Sequence, residues 1–137
     1  MKTTEKNLTL ESTIAYVRDF HEAFGIENAL QITAGLSEQD YTLRHNLMKE
    51  ENYEYIEACR NNDLVEIADA LGDQLYILCG TILKHGLQDK IGEVFLEIQR
   101  SNMSKLDSGG KPIYREDGKV LKGENYFKPD IKSILDC

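Results

Sequence analysis

Absences narrow this chain before any motif does. Cysteine is scarce and odd in number among the 137 residues: Cys59, Cys79 and Cys137 show no CxxC spacing, and two of them fall in apolar helical pattern. A disulfide framework or a thiolate zinc site is therefore excluded as an organising feature, and the thiols read as reduced. Long hydrophobic runs are missing too. The most apolar stretch, 75–83, is interrupted by Cys79, Gly80 and Thr81 and is far too short to span a bilayer. The opening "MKTTEKNLTLEST" has no apolar core of signal-peptide length. A cytoplasmic chain with no membrane partner is expected. Positive charge is in short supply: the formal net charge is −8, with 9 Lys+Arg against 18 Asp+Glu over residues 1–100 and 7 against 6 over residues 101–137. An acidic body of this kind opposes binding to nucleic acid polymers, whose affinity comes largely from Lys and Arg neutralising phosphates. Any phosphate it binds needs a cation in between.

The length is that of one ordinary domain, able to bury a core without disulfides or metals. A single domain over 1–137 is expected, with a helical core over about 10–105 and a basic loop and hairpin tail over 106–137. Four helical segments follow from apolar periodicity. The first runs from Leu10 to Phe24, with Ile14, Val17 and Phe20 on one face, and stops at Gly25. Ser37, with Asp40 three residues on, opens a second helix through Arg60. "NND" breaks the chain, and Asp63 caps a third helix that carries Glu66 at its third position, runs to His85 and ends at Gly86. "LQDKIGEVFLEIQRSNMSK" continues as a fourth, with Ile91, Val94, Phe95 and Ile98 on its apolar side. Beyond Ser104, Gly109, Gly110, Pro112, Gly118, Gly123 and Pro129 argue against helix, and "IYREDGKVL" reads as a hairpin turning at Asp117–Gly118. The expected fold class is all-α: an antiparallel helical bundle of four main helices with a short C-terminal hairpin appendage.

The acids of the second and third helices are arranged unusually. Glu66, Asp69 and Asp73 fall within an arc of roughly 60° on a helical wheel, and apolar residues fill most of the rest. Glu50, Glu51 and Glu54 occupy a sector of roughly 100° that also holds Leu43, Leu47 and Ala58, so these acids share the inward face. Both stripes are expected to be partly buried. A solvated acidic face would carry Lys or Arg one turn away. Instead Asp69 has Asp73 at i+4, Glu50 has Glu54, and the i+4 partners of Glu51, Glu54 and Glu66 are Tyr55, Ala58 and Ala70. Burying unpaired carboxylates is costly enough that they protonate or recruit a cation.

Oxygen-only ligands suit Mg²⁺, Mn²⁺ or Ca²⁺ rather than zinc or copper. A di-iron bundle would use Glu-x-x-His pairs, but Arg18, Thr42 and Ile82 stand three residues before His21, His45 and His85. An EF-hand is excluded because the acids lie in helical pattern rather than in a Gly-centred loop. Mg²⁺ keeps waters and shares itself between carboxylates and substrate phosphates, so a phosphorylated substrate is expected. Two such ions can clamp a triphosphate and lower the pKa of a bound water, which a further carboxylate positions for in-line attack on phosphorus.

"EENYE", carrying Glu50, Glu51 and Glu54, followed by "EIADALGDQLYIL", resembles the all-α nucleoside triphosphate pyrophosphohydrolases of the MazG-like family, whose signature is EExxE, a spacer, then ExxD. "VRDFHEAFG" near the start and "RSNMSKLD", "REDGKVLKG" and "YFKPD" near the end extend the likeness over most of the chain. The resemblance implies a Mg²⁺-dependent enzyme, with Mn²⁺ as a substitute, that splits a nucleoside triphosphate into monophosphate and pyrophosphate and removes excess or non-standard nucleotides. It implies metal binding by Glu51 and Glu54, with Glu50 as the catalytic candidate that orients water or a further ion. Glu66 and Asp69 satisfy ExxD literally, whereas the "LGD" register aligns Asp73 with the motif's aspartate and puts Ala70 where the glutamate belongs; 11 residues separate Glu54 from Glu66, one short of the pattern. All three are therefore candidate metal ligands. It further implies a homodimer or dimer of dimers, which a third helix apolar around most of its circumference also suits. The alternatives are a phosphoribosyl-ATP pyrophosphohydrolase of histidine synthesis, and a non-catalytic helical partner that keeps the ion site without turnover.

Four residues of the tail are candidates for phosphate contact: Asn102 and Lys105 at the end of the fourth helix, and Lys119 and Lys122 around the hairpin. Hairpin lysines also serve as edge protection. Phe20, His21 and Phe24 are candidates to meet a nucleobase, although aromatics at one-turn spacing are more often core. Tyr126 and Phe127 suit anchoring of the tail. Arg44 and Lys49 can reach phosphates or neutralise acids, and the sequence does not separate these roles.

Overall fold

The computed structural model describes residues 7–137. Five helices follow one another: α1 (Leu10–Ala23), α2 (Glu38–Arg60), α3 (Leu64–Lys84), α4 (Ile91–Met103) and the short α5 (Ile131–Leu135). Among the described residues there is no strand, only an isolated antiparallel bridge between Tyr114 and Val120, so the chain is all-α. It divides into two compact units, Met1–Gln88 and Asp89–Cys137.

The first unit is built on α3. Each helix starts where its sequence supplies an acceptor for orphan amide hydrogens. Thr9 and Ser12 form a reciprocal capping box at α1, the Ser37 hydroxyl accepts from the Asp40 amide at α2, and the Asp63 carboxylate accepts from the Glu66 amide at α3. α1 ends before Gly25 and α3 before Gly86, with φ of 70° and 71°. Gly86 is also forced by space, since a Cβ there would stand 2.5 Å from the Gln31 carbonyl oxygen. Between α2 and α3 the chain reverses through Asn61–Asp63, with Asn62 at φ 51°, a conformation asparagine tolerates better than most residues. α1 and α2 both pack on α3. The buried core comprises Ile14 and Val17 from α1, Ala58 from α2, and Ala70, Cys79, Ile82 and Leu83 from α3. Burial also pushes the Cys79 thiol pKa up, which leaves it an inert apolar filler.

In the second unit the serines of "RSNMSK" have a structural task. Buried Ser101 donates its hydroxyl to the Phe127 carbonyl at 2.8 Å, and the Ser104 hydroxyl accepts from the Phe127 amide at 3.1 Å. Gly123 donates to the Lys105 carbonyl, and a Cβ on it would lie 2.5 Å from the Leu106 carbonyl oxygen. The hairpin forms around Asp117–Gly118, where Gly118 has φ of 88° and Asp117 accepts from the Lys119 amide. α5, capped by Asp130 accepting from the Ser133 amide, adds a turn that the apolar periodicity does not reveal.

Candidate active site

α2 and α3 run antiparallel, as their cross-contacts require: Arg44 reaches Ile77 and Thr81, while Glu51 meets Asp73. This hairpin gathers Glu51, Glu54, Asp69 and Asp73. Glu51 has its pKa raised first by burial, then by the charges of Glu54, Asp73 and Asp69, and it lies close enough to Asp73 to share a proton with it. Its Oε1 is buried with no hydrogen-bond partner. Among the described residues none of these four acids joins an ion pair.

The two stripes are less buried than their helical wheels imply. Glu51 and Asp73 are half-buried, but Glu50, Glu54, Glu66 and Asp69 are exposed within the chain, although Ala58 of α2 and Ala70 of α3 are buried. Glu50 stands in a separate depression with Asn46, Lys49, Tyr53 and Glu54. Glu66 borders another with Glu54, Glu57 and Asp63. Asn102, Lys105, Lys119 and Lys122 belong to the second unit, where the Lys122 ammonium sits 4.8 Å over the Tyr126 ring, an anchoring contact.

Among the described residues no three acidic, histidine or cysteine side chains stand together closely enough to hold a metal ion by themselves. The donors nonetheless fit a hard divalent cation: all are carboxylate oxygens, they carry no counter-charge, and one is buried with an empty acceptor. An open half-shell is what Mg²⁺ uses when phosphate and water complete its coordination.

Next to the acids lies a cleft of about 730 Å³ between α1, α2 and α3. Leu47 on its wall precedes Glu51 by one helical turn, and Tyr76 and Ile77 follow Asp73 by one. Phe20 meets Tyr76 edge-to-face at 5.6 Å and Phe24 at 4.4 Å. His21, only 2 % exposed, bonds through Nδ1 to Asn28 Oδ1 at 2.6 Å. Burial lowers its pKa against the effect of that bond, with Arg44 and Lys84 adding to the lowering, so the ring is held neutral. Sequence reading alone missed Asn28, Thr81 and Gly80, which hold or make room for His21 and Arg44 of this cleft. The one signal was a glycine inside an otherwise apolar helix.

The chain is 33% identical over 102 residues to an uncharacterized protein of Acanthamoeba polyphaga mimivirus; the match takes in 72% of this chain and spans 36% of that protein's length. It also shares its fold with the crystal structure of a candidate NTP pyrophosphohydrolase from Exiguobacterium sp. 255-15, with a TM-score of 0.50, 23% identity and 96% of each chain covered. The model of the phosphoribosyl-ATP pyrophosphohydrolase family matches residues 17–102, a span that contains every acid of the seam and the whole α2–α3 hairpin. The chain thus belongs to the phosphoribosyl-ATP pyrophosphohydrolase family, within the MazG-like all-α group of acid-anhydride hydrolases.

Proposed function

We propose that this protein hydrolyses the α–β anhydride of a nucleoside triphosphate, ribo or deoxy, to the monophosphate and pyrophosphate in the presence of Mg²⁺, as a cytoplasmic housecleaning activity on the nucleotide pool. The observation that carries this reading is the seam itself: four carboxylates without a cation, one with a buried, unpartnered oxygen. Glu51, Glu54, Asp69 and Asp73 would hold Mg²⁺, or Mn²⁺ in its place, with Glu66 at the margin. A divalent ion there neutralises the triphosphate and lowers the pKa of a bound water. Glu50, exposed and directly before Glu51 in α2, takes the proton of the attacking water as the new bond to the α-phosphorus forms and the bond to the bridging oxygen breaks, with pyrophosphate leaving. The apolar cleft then receives the base, against Phe20, Tyr76 and His21.

The family's name favours a second substrate, phosphoribosyl-ATP, whose scissile linkage is the same. A panel of ribo- and deoxynucleoside triphosphates together with phosphoribosyl-ATP, read separately for monophosphate, pyrophosphate and orthophosphate, decides between them. Pyrophosphate with monophosphate, lost in Glu54→Gln, is the expected result. Orthophosphate as the only product contradicts α–β cleavage.

The reading includes a homodimer or dimer of dimers. Leu64, Leu71, Leu75 and Leu78 recur along one face of α3 and are exposed, Leu64 by 77%. Their 7-4-3 spacing is that of a helix–helix seam, which a two-fold axis can match with a second copy. Sedimentation velocity is expected to show at least two copies per particle; a monomer at micromolar concentration contradicts it.

A further inference from the structure

Arg44 is placed unlike any other cation of the first unit. Its Nε donates to the Thr81 hydroxyl at 3.0 Å and its Nη2 to the Ile77 carbonyl at 2.8 Å, so one edge of the guanidinium is spent on α3. No carboxylate among the described residues pairs with it. Gly80 makes the placement possible: a Cβ there would stand 2.5 Å from Arg44 Nη2 and 3.0 Å from His21 Nε2. Both polar groups therefore lie over a residue of α3 that has no side chain, and both line the aromatic cleft.

With Asn28 Oδ1 accepting from Nδ1, the neutral His21 ring offers an acceptor at Nε2. Arg44 keeps Nη1 as a donor with no partner among the described residues. Anchored to α3 through Nε and Nη2, the guanidinium is fixed in place, and its remaining N–H groups can give a charge-assisted hydrogen bond to an acceptor in the cleft. The surrounding Phe20, Leu43, Leu47 and Tyr76 suit a flat ring. We infer that Arg44, held over Gly80, is a specificity-determining residue that reads one acceptor atom on the edge of the nucleobase. Bases differ in which edge atoms accept, so a fixed donor favours some over others. This rests on the reading of the cleft as a base site.

Phosphate-free nucleosides test it without using the acid seam or any metal. Dissociation constants of the ribo- and deoxynucleosides of the four bases are measured by NMR titration for the wild type, Arg44→Lys and Gly80→Ala, with melting temperatures alongside. Gly80→Ala removes no polar group and improves helix propensity, yet its Cβ must push the guanidinium aside. The wild type is expected to prefer one base, and both variants to lose about tenfold on that base while losing little on the others. Unchanged preference, equal loss on every base, or no binding of any nucleoside would overturn the inference. If pyrophosphate release fails but base preference still depends on Arg44, hydrolysis is the part that is wrong.

Discussion

Within one antiparallel helix pair, the turns around Glu51 and Asp73 present oxygen anions that pair with no cation among the described residues, whereas the adjoining turns around Arg44 and Ile77, with α1 packed beside them, border a cation, a neutral imidazole and aromatic rings. The backbone is the same in both places. What differs is which groups the chain leaves incomplete: negative charge in one stretch, a largely apolar recess with spare donors on Arg44 and a spare acceptor on His21 in the next. A ligand that completes both is polyanionic at one end and a flat heterocycle at the other, which is the shape of the nucleotide proposed above.

Three variants probe that division, beginning with the largest effect. Glu51→Gln removes the half-buried carboxylate at the centre of the seam, so kcat should fall by more than about 100-fold, since even the outer partners of metal ligands cost 10–100-fold. The same change relieves repulsion from Glu54, Asp73 and Asp69 and should raise the metal-free melting temperature. A loss of activity together with a loss of stability would blur the contrast, because the acid would then be a folding element. Phe20→Ala acts in the cleft alone: KM should rise about tenfold with kcat nearly kept, the scale of one aromatic stacking contact on a base. A fall in kcat with KM unchanged would place the base elsewhere. The smallest effect belongs to His21. Its folded pKa lies below the unfolded value, so the unfolded chain binds the proton first and stability declines as pH falls from about 7.5 to about 5.5. In His21→Gln that component of the decline should vanish, as urea titrations of both proteins at each pH would show; an unchanged slope would mean that the ring protonates freely in place.

The two regions were also unequally legible. The seam's acids sit in two adjacent helices at one-turn spacing, so their gathering follows from "EENYE", the Asp63 cap and the intervening turn. Their degree of exposure did not follow, because a helical wheel gives direction around one helix and not how far its neighbours cover it. The cleft draws on α1, the 24–36 connector, α2 and α3, and Arg44 and Gly80, 36 positions apart, carry no shared pattern. The hairpin was readable from Asp117–Gly118, whereas α5 is five residues long, too short for periodicity to register.

The most direct test of the central claim, that the seam is an open half-shell completed by cation and triphosphate together, is calorimetric titration of Mg²⁺ with and without a nucleoside triphosphate analogue that resists α–β cleavage. Weak binding of Mg²⁺ alone that tightens about tenfold or more with the analogue, and is lost in Glu51→Gln, is the predicted result. Tight Mg²⁺ binding that ignores the analogue would contradict it, since the acids would then form a closed structural ion site.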